Sequence, residues 1–274
     1  MMEHEGTDPI VAHFSDPGRV AEYLVAPDAM NEARRDLVRR MVLSHVAAGS
    51  RVLEIGCGIG ALTAELVTAG MLCTAVDSSP EMIRHARDLV GTKATIELRD
   101  FFDETLPGQF AAVIANGVAP YYRDTAGFLK RVCSLLQPGG VAFIVHKNAL
   151  FNLFALNEGT IDFLKENLLA EFPATFKDHV SDELYKIPGL PEPRKSSSSA
   201  KLLRVQENPL TAEELYADAE LAVRDLRYCF IHATPPRIRA SDTKIDIGSL
   251  QTKYERRWEG MFLGSQFLVV ASRR

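Results

Sequence analysis

The chain has 274 residues, 46% of them hydrophobic, which fits one enzyme-sized domain with an elaboration rather than two independent domains. Its 36 acidic residues exceed the 31 lysines and arginines, so the net charge is −5 and nothing favours a nucleic acid partner. The four cysteines form no C-x-x-C pair, the sequence opens without a secretory pattern, and no apolar run has membrane-spanning length. We therefore expect a cytoplasmic protein with reduced thiols and no membrane span.

Two helices are predicted before the first strand, near residues 18–25 and 28–47, after a polar start over 1–16 that we expect to be frayed. The second helix carries apolar residues at helical spacing with Arg34 and Arg35 beside them. These arginines either form a solvated face or point toward a ligand, and the sequence leaves both interpretations open.

Residues 51–60 read Arg-Val-Leu-Glu-Ile-Gly-Cys-Gly-Ile-Gly, a short apolar strand followed by three alternating glycines and a predicted helix from Ala61. Glycine has no Cβ, so such a turn is tight and lets a ligand lie against bare backbone. The glycines run G-x-G-x-G, whereas dinucleotide-binding proteins have G-x-G-x-x-G; Ala61 stands at the third-glycine position of that pattern, which sometimes tolerates alanine. Because Glu54 lies at the end of the strand, its carboxylate disfavours a pyrophosphate and favours a cationic ligand.

The second predicted strand, 71–76, leads directly to Asp77. An acid about 20 residues past a glycine turn, at the tip of the second strand, is placed to accept both ribose hydroxyls of an adenosine. Ser78, Ser79 and Pro80 then begin a helix that contains Met82.

The third and fourth predicted strands, 94–98 and 110–115, end before polar or aromatic residues. Asp100 and Phe101 follow the third strand, and Asn116 and Gly117 follow the fourth. A helix over 124–136 is then stopped by Gln-Pro-Gly-Gly, and the fifth strand is predicted at 141–145. A helix over 211–221 with a capping box at Thr211, a sixth strand over 224–232, a helix over 247–259 and a seventh strand over 266–272 complete the prediction.

Three segments in this order, Val-Leu-Glu-Ile-Gly-Cys-Gly-Ile-Gly, Asp-Ser-Ser-Pro-Glu-Met-Ile and Leu-Gln-Pro-Gly-Gly, resemble the class I S-adenosylmethionine (SAM) methyltransferase family over about residues 50–146. The end of the sixth strand is loosely similar to ubiquinone-pathway and sugar-modifying O-methyltransferases. The resemblance implies a Rossmann-like, doubly wound α/β fold with a seven-stranded sheet whose last strand is antiparallel. It also implies SAM as cofactor and S-adenosylhomocysteine (SAH) as product.

Four parts follow from this resemblance. We expect an N-terminal helical cover over 1–48, a SAM-binding core over 49–145, and the C-terminal part of the core sheet over 208–274. Between them, residues 146–207 form an insert after strand five, predicted to be an α-helical lid over the acceptor. Its Pro/Ser-rich segment 188–200 is predicted to be a mobile loop.

The resemblance assigns cofactor binding to the strand ends and the glycine turn, with Arg34 or Arg35 on the methionyl carboxylate and Tyr23 near the sulfonium. The candidate cofactor-binding residues are Arg35, Glu54, Gly56, Cys57, Gly58, Gly60, Asp77, Ser78, Met82, Asp100, Phe101, Asn116 and Gly117.

His146 and His232 are the candidate catalytic residues, because they lie at the carboxyl side of predicted strands and histidine is the usual base near neutral pH. The alternative is that each bonds backbone at a strand end, which is the commoner role of a lone histidine. The sequence contains no dense cluster of metal-ligating residues, so no metal site is predicted. Enzymes that methylate amino groups of DNA and some proteins carry an Asn/Asp-Pro-Pro-Tyr/Phe motif after strand four. This chain has Asn116-Gly117-Val118-Ala119 there instead, and the lack of the motif favours an oxygen acceptor.

The leading hypothesis is methyl transfer to a hydroxyl oxygen of a small metabolite, such as a natural product, sugar or quinone-like acceptor. The alternatives are N- or C-methylation, a SAM-assisted reaction such as a cyclisation, and a non-catalytic SAM-binding scaffold. A homodimer stays open.

Overall fold

The computed structural model describes residues 9–25, 28–103, 105–106, 108–186, 204–236 and 246–274. These residues contain eight strands in one sheet. The strands are β1 (Arg51–Ile55), β2 (Leu72–Asp77), β3 (Thr95–Leu98), β4 (Phe110–Ala115), β5 (Leu136–Asn148), β6 (Gln206–Glu207), β7 (Leu221–Ile231) and β8 (Gly264–Arg273).

The strand order is β3-β2-β1-β4-β5-β8-β7, with the short β6 paired to β5 off this path. Strands β1 to β5 are parallel to one another, and β8 is antiparallel to both β5 and β7. This arrangement confirms the predicted doubly wound sheet with an antiparallel last strand. β6, which the sequence did not predict, pairs Gln206 with Lys147 of β5.

Helices cover both faces of the sheet and its carboxyl edge. They are α1 (Pro9–Ser15), α2 (Pro17–Val25), α3 (Ala29–His45), α4 (Ala61–Thr68), α5 (Pro80–Val90), α6 (Thr125–Leu135), α7 (Asn152–Ala155), α8 (Glu158–Phe163), α9 (Ala174–Tyr185), α10 (Ala212–Ala217), α11 (Ile247–Tyr254) and α12 (Gly260–Leu263). No helix in these described ranges combines the length and the apolar character needed to cross a membrane.

The alternation of side chains along the strands divides the core into two layers. On one face, Val52 and Phe143 pack with Leu37 of α3. On the other, Leu53 and Ile144 belong to the cluster that contains Phe128 of α6 and Tyr216 of α10. Because the central strands are covered on both faces, their sequences are almost wholly apolar.

The N-terminal segment differs from its predicted frayed state. Residues 9–15 form α1, and the Ser79 hydroxyl donates to the backbone oxygen of Phe14 at 2.9 Å. The Phe14 ring meets the Tyr121 ring edge-on with 5.3 Å between centroids. These long-range contacts hold a helix too short to be stable by itself. Residues 1–8 lie outside the described part of the chain.

Two other local predictions are wrong. Strand five begins at Leu136 and runs through the predicted Gln-Pro-Gly-Gly turn, with a register shift against β4 that accommodates it. The predicted capping box of α10 is absent, because the Thr211 hydroxyl donates to the Asn208 carbonyl instead of capping the helix. The predicted mobile loop 188–200 lies outside the described residues.

Candidate active site

A cavity of about 730 Å³ follows the carboxyl edge of the sheet. Its walls come from the residues after β1, β2, β3 and β4 and from the adjoining ends of β5, β8 and β7. Helices α1 and α3 cover it, through residues such as Phe14 and Asn31. In open α/β sheets, ligands bind at this edge, where the strand order reverses.

The glycine turn after β1 contacts the turn after β4. Gly56 has φ +65°, and a Cβ built on it would lie 2.7 Å from the Cβ of Val118. Gly60 is different: it does not line the cavity, and its Cβ would lie 3.0 Å from the Cβ of Ala86 in α5. Gly56, Cys57 and Gly58 therefore face the ligand side, whereas Gly60 allows the helices to pack.

Glu54 is a buried acid in the cavity wall, with 3% of its surface exposed. Its pKa is raised to about 8, mainly by burial; a hydrogen bond from the Thr63 hydroxyl opposes this rise, and nearby Asp77 adds to it. Since an opposite charge favours the ionised form, a cationic group bound here would restore the carboxylate.

Asp77 links the glycine turn to the start of α5 by hydrogen bonds. Its Oδ2 accepts from the Gly58 amide and its Oδ1 from the Ser79 amide, each at 2.9 Å. Burial raises the pKa of Asp77, while these backbone hydrogen bonds lower it. Each carboxylate oxygen has a further lone pair, so Asp77 still accepts from a ligand. Ser78 and Met82 line the cavity beside it.

Asp100 and Phe101 line the cavity at the end of β3. Asp100 Oδ1 accepts from the Phe102 amide at 2.7 Å, which fixes the turn. The buried Phe101 ring lies 5.1 Å from that of Phe128 and 6.0 Å from that of Tyr122. This aromatic cluster provides an apolar wall.

Asn116 and Gly117 form the middle of the cavity at the end of β4. The Oδ1 atom of Asn116 is buried and has no hydrogen-bond partner among the described residues. Gly117 has φ +92°, and a Cβ on it would lie 2.9 Å from Nη1 of Arg34. An unsatisfied buried oxygen costs about 1–3 kcal/mol, so this position favours a ligand that donates a hydrogen bond.

Arg34 and Arg35 both line the cavity, but they have different partners. Arg35 Nε donates to Glu65 at 2.8 Å. Arg34 Nη1 donates to Gln266 at 2.9 Å, and its guanidinium lies 5.8 Å from the centroid of the Phe230 ring. Arg34 therefore lies closer to the strand ends than the sequence-based choice of Arg35 implied. The side chain of Tyr23 lies outside the described residues.

The two predicted catalytic histidines do not line the cavity. His146 is only 2% exposed, shares a 2.7 Å hydrogen bond with the Tyr216 hydroxyl, and stacks on Phe267. Burial lowers the pKa of His146 to about 3. Because β5 continues to Asn148, side-chain alternation turns His146 into the core and Lys147 toward the cavity.

His232 follows the end of β7 and contacts Ser265 and Phe151. Its Nε2 lies 3.1 Å from the Ser265 hydroxyl, and its ring centroid lies 4.7 Å from that of Phe151. Burial lowers its pKa. Neither histidine is positioned to remove a proton from a ligand in this cavity, which corrects the sequence-based assignment.

Several cavity residues were missed by the sequence analysis: His13, Tyr121, Lys147, Arg204, Phe230 and Gln266. If the length of β5 had been known, the alternation of side chains along a strand would have identified Lys147 as a cavity residue. Phe230 has φ +59°, a left-handed conformation that a non-glycine residue adopts only when its surroundings impose it. Within the described ranges, no group of three or more His, Cys, Asp or Glu side chains is arranged to hold a metal ion.

The predicted helical lid does not line the cavity. The helices α7, α8 and α9 lie within the 146–207 insert, but the described insert residues that line the cavity are Lys147 and Arg204. The cover that the structure shows comes from α1 and α3.

Comparison with known proteins identifies the core. Residues 52–140 match the methyltransferase domain family. A ubiquinone biosynthesis O-methyltransferase of Xanthomonas campestris is 32% identical over 133 residues, which cover 47% of this chain and 54% of the relative. A protein of the same name from Methylocella silvestris is 35% identical over 111 residues, 39% of this chain and 43% of the relative. The chain thus spans about half the length of the curated relatives it matches.

Solved structures share the fold along nearly the whole chain. The magnesium protoporphyrin IX methyltransferase of Synechocystis with bound SAH has a TM-score of 0.58 at 14% identity, covering 97% of this chain and 98% of that one. The 1,6-didemethyltoxoflavin-N1-methyltransferase of Burkholderia thailandensis has a TM-score of 0.54 at 16% identity, covering 99% and 93%. Together with the sheet order, these matches show that residues 52–140 form a methyltransferase domain with the fold of class I SAM-dependent methyltransferases, a family whose cofactor is SAM.

Proposed function

We propose that this chain transfers a methyl group from SAM to a small-molecule acceptor, and that the acceptor atom is a hydroxyl oxygen. The observation that carries the proposal is the extent of the cavity. It continues past the residues after β1, β2 and β3 to a second part lined by Tyr121, Lys147, Arg204 and Phe230. Its volume of about 730 Å³ is within the range of cavities that enclose small ligands.

The residues at the β1–β4 end fit the chemistry of SAM. Asp77 would accept from the ribose hydroxyls, and Asp100 with Phe101 would hold the adenine. The unpartnered oxygen of Asn116 and the buried Glu54 suit the cationic methionine end. When bound, the sulfonium of SAM supplies a methyl group to a nucleophile by direct displacement.

Arg34 would hold the carboxylate of that methionine end. It is an arginine that lines the cavity next to Gly117, where the missing Cβ leaves room for its guanidinium. A guanidinium binds a carboxylate with two parallel hydrogen bonds, which fixes orientation as well as position. By fixing the methionine end of SAM, Arg34 would orient the methyl group and so determine the side from which the acceptor must approach.

Oxygen is favoured as the acceptor atom by two observations. The curated relatives are named ubiquinone biosynthesis O-methyltransferases, and they match the chain over its core. The chain also has Asn116-Gly117-Val118-Ala119 where amino-methylating enzymes carry a Pro-Pro motif. We assign no proton transfer to His146 or His232, and attribute catalysis mainly to alignment of the hydroxyl with the methyl group.

The test is a methyl-transfer assay with SAM that carries a deuterated methyl group and a set of hydroxylated aromatic and quinol compounds. We expect acceptor-dependent formation of SAH and a labelled methyl ether, identified by mass spectrometry. An Asp77→Ala variant is the control, because it removes the proposed ribose contact. A label on nitrogen or carbon would contradict the oxygen assignment. An unlabelled, rearranged product formed in the presence of SAM without release of SAH would favour a SAM-assisted cyclisation, and binding without turnover would favour a scaffold.

A further inference from the structure

Two cationic side chains line the cavity beside strand β5. Lys147 is the residue before the last in β5, where it pairs with Gln206 of β6 and Gln266 of β8. Arg204 lies just before β6, and its guanidinium is 5.5 Å from the centroid of the Tyr121 ring. The backbone amide of the next residue, Val205, donates to the Pro120 carbonyl at 2.7 Å, which fixes the segment against the turn after β4.

Neither cation has an acidic partner among the described residues. Within the described ranges, no ion pair or side-chain hydrogen bond involves Lys147, and the contact of Arg204 is with the face of Tyr121. Burial and the neighbouring Arg204 lower the pKa of Lys147. A partly buried cation next to a second cation is unfavourable until an anion joins them.

The acids of the cavity lie elsewhere. Glu54 is on β1, and Asp77 and Asp100 follow strands still further from β5 in the sheet order. Neighbouring strands are about 4.8 Å apart, so Glu54 is roughly 10 Å from β5. Asp28, which caps α3, and Glu32 also line the cavity, and among the described residues neither forms an ion pair with Lys147 or Arg204. Arg99, at the end of β3, also lines the cavity but is paired with Glu97 and Asp103, so the lining cations without a described acidic partner at β5 are Lys147 and Arg204.

We propose that the acceptor is an aromatic carboxylate whose anionic group binds between Lys147 and Arg204, with its ring against Tyr121 and Phe230. This inference rests on the proposed function. The guanidinium of Arg204 matches a planar carboxylate, and Lys147 adds a compact positive charge. Because β5 adjoins β4, an anion at Lys147 and a hydroxyl beside Gly117 are about one aromatic ring apart.

The experiment uses hydroxybenzoates as probes and their amides as neutral counterparts of the same shape. SAH binding to the full chain is measured first by titration calorimetry. The SAH-saturated protein is then titrated with 4-hydroxybenzoate, 3,4-dihydroxybenzoate and the two matching benzamides. We expect at least one acid to bind, and its amide to bind at least tenfold more weakly.

Variants assign the effect to the two cations. Lys147→Met and Arg204→Gln should each weaken binding of the acid about tenfold or more, while SAH affinity stays within twofold. Lys147→Arg should retain most of the acid affinity, because it keeps the charge. Lys130→Met, which removes an exposed lysine of α6 outside the cavity, is the matched control and should bind like the original protein.

The outcomes separate the two proposals. Failure of SAH to bind contradicts the proposed function itself. If SAH binds but no acid does, if acids and amides bind equally, or if Lys147→Met binds the acid unchanged, the carboxylate site is refuted. Turnover of the variants is measured in the methyl-transfer assay described above. If Lys147→Arg retains acid binding but loses turnover entirely, Lys147 acts on the reacting hydroxyl and not as an anchor, which also overturns the inference.

Discussion

Replacing Gly56 with alanine tests the contact between the turns after β1 and β4, on which the cofactor end of the cavity depends. Gly56 has φ +65°, and its added Cβ would lie 2.7 Å from Val118, closer than real Cβ contacts. Left-handed backbone costs a residue with a Cβ roughly 1–2 kcal/mol. Overpacking adds roughly 1–3 kcal/mol, so we expect Gly56→Ala to lower the free energy of unfolding by about 2–5 kcal/mol.

Gly49→Ala provides the matched control, because Gly49 has φ +81° but no atom within 4 Å of its added Cβ. This variant should show the backbone cost alone, about 1–2 kcal/mol. Val118→Ala should relieve part of the overlap, so the double variant Gly56→Ala/Val118→Ala should be less destabilised than the sum of the single changes. A coupling of about 1–3 kcal/mol is expected for residues in direct contact.

Urea unfolding followed by circular dichroism gives the stabilities, and titration calorimetry gives the affinity for SAH. Gly56→Ala should weaken SAH binding at least tenfold, because Gly56 lines the cavity and Gly49 does not. Equal stability of Gly56→Ala and Gly49→Ala, together with unchanged SAH affinity, would show that the two turns are not in contact as described.

Three further predictions concern buried groups. Because the pKa of Glu54 is raised to about 8 and a cation favours its ionised form, SAM should bind more tightly as pH rises from 6 to 8, by up to about tenfold per unit, with proton release. Calorimetry in buffers of different ionisation enthalpy measures this release, and Glu54→Gln should abolish it; an unchanged pH dependence in that variant would contradict the assignment. Arg34→Gln should weaken SAH binding about tenfold or more, whereas Arg35→Gln should change it less than threefold; the reverse order would restore the sequence-based choice. Tyr216→Phe should cost about 1 kcal/mol of stability, by loss of the bond to His146, and leave SAH affinity unchanged; a selective loss of turnover would return His146 to the mechanism.

The pattern of the sequence predicted those parts of the fold that depend on local signals. β1 and β4 have the predicted boundaries, because each is a short apolar run with polar or glycine residues at its end. The acids Glu54 and Asp77 lie in the cavity wall because parallel strands all present their carboxyl ends at one edge.

The acceptor end depends on contacts between distant residues, and there the sequence was insufficient. The sequence predicted that strand five ends at Val145, but it continues to Asn148. His146 is therefore a strand residue that faces the core, and Lys147, one residue on, faces the cavity. Arg204 lies at the cavity because β6, which follows it, pairs with β5. A strand of only two residues has no pattern that the sequence could reveal. Phe230 lies there through an unusual backbone angle that no composition rule predicts.

Calorimetric titration of the unmodified chain with SAH and, separately, with NADH tests the central claim most directly. The glycine turn and the buried Glu54 indicate a SAM-type ligand over a dinucleotide. We predict one SAH per chain and no binding of NADH. Binding of NADH, or the absence of SAH binding, would contradict the assignment of this cavity to SAM.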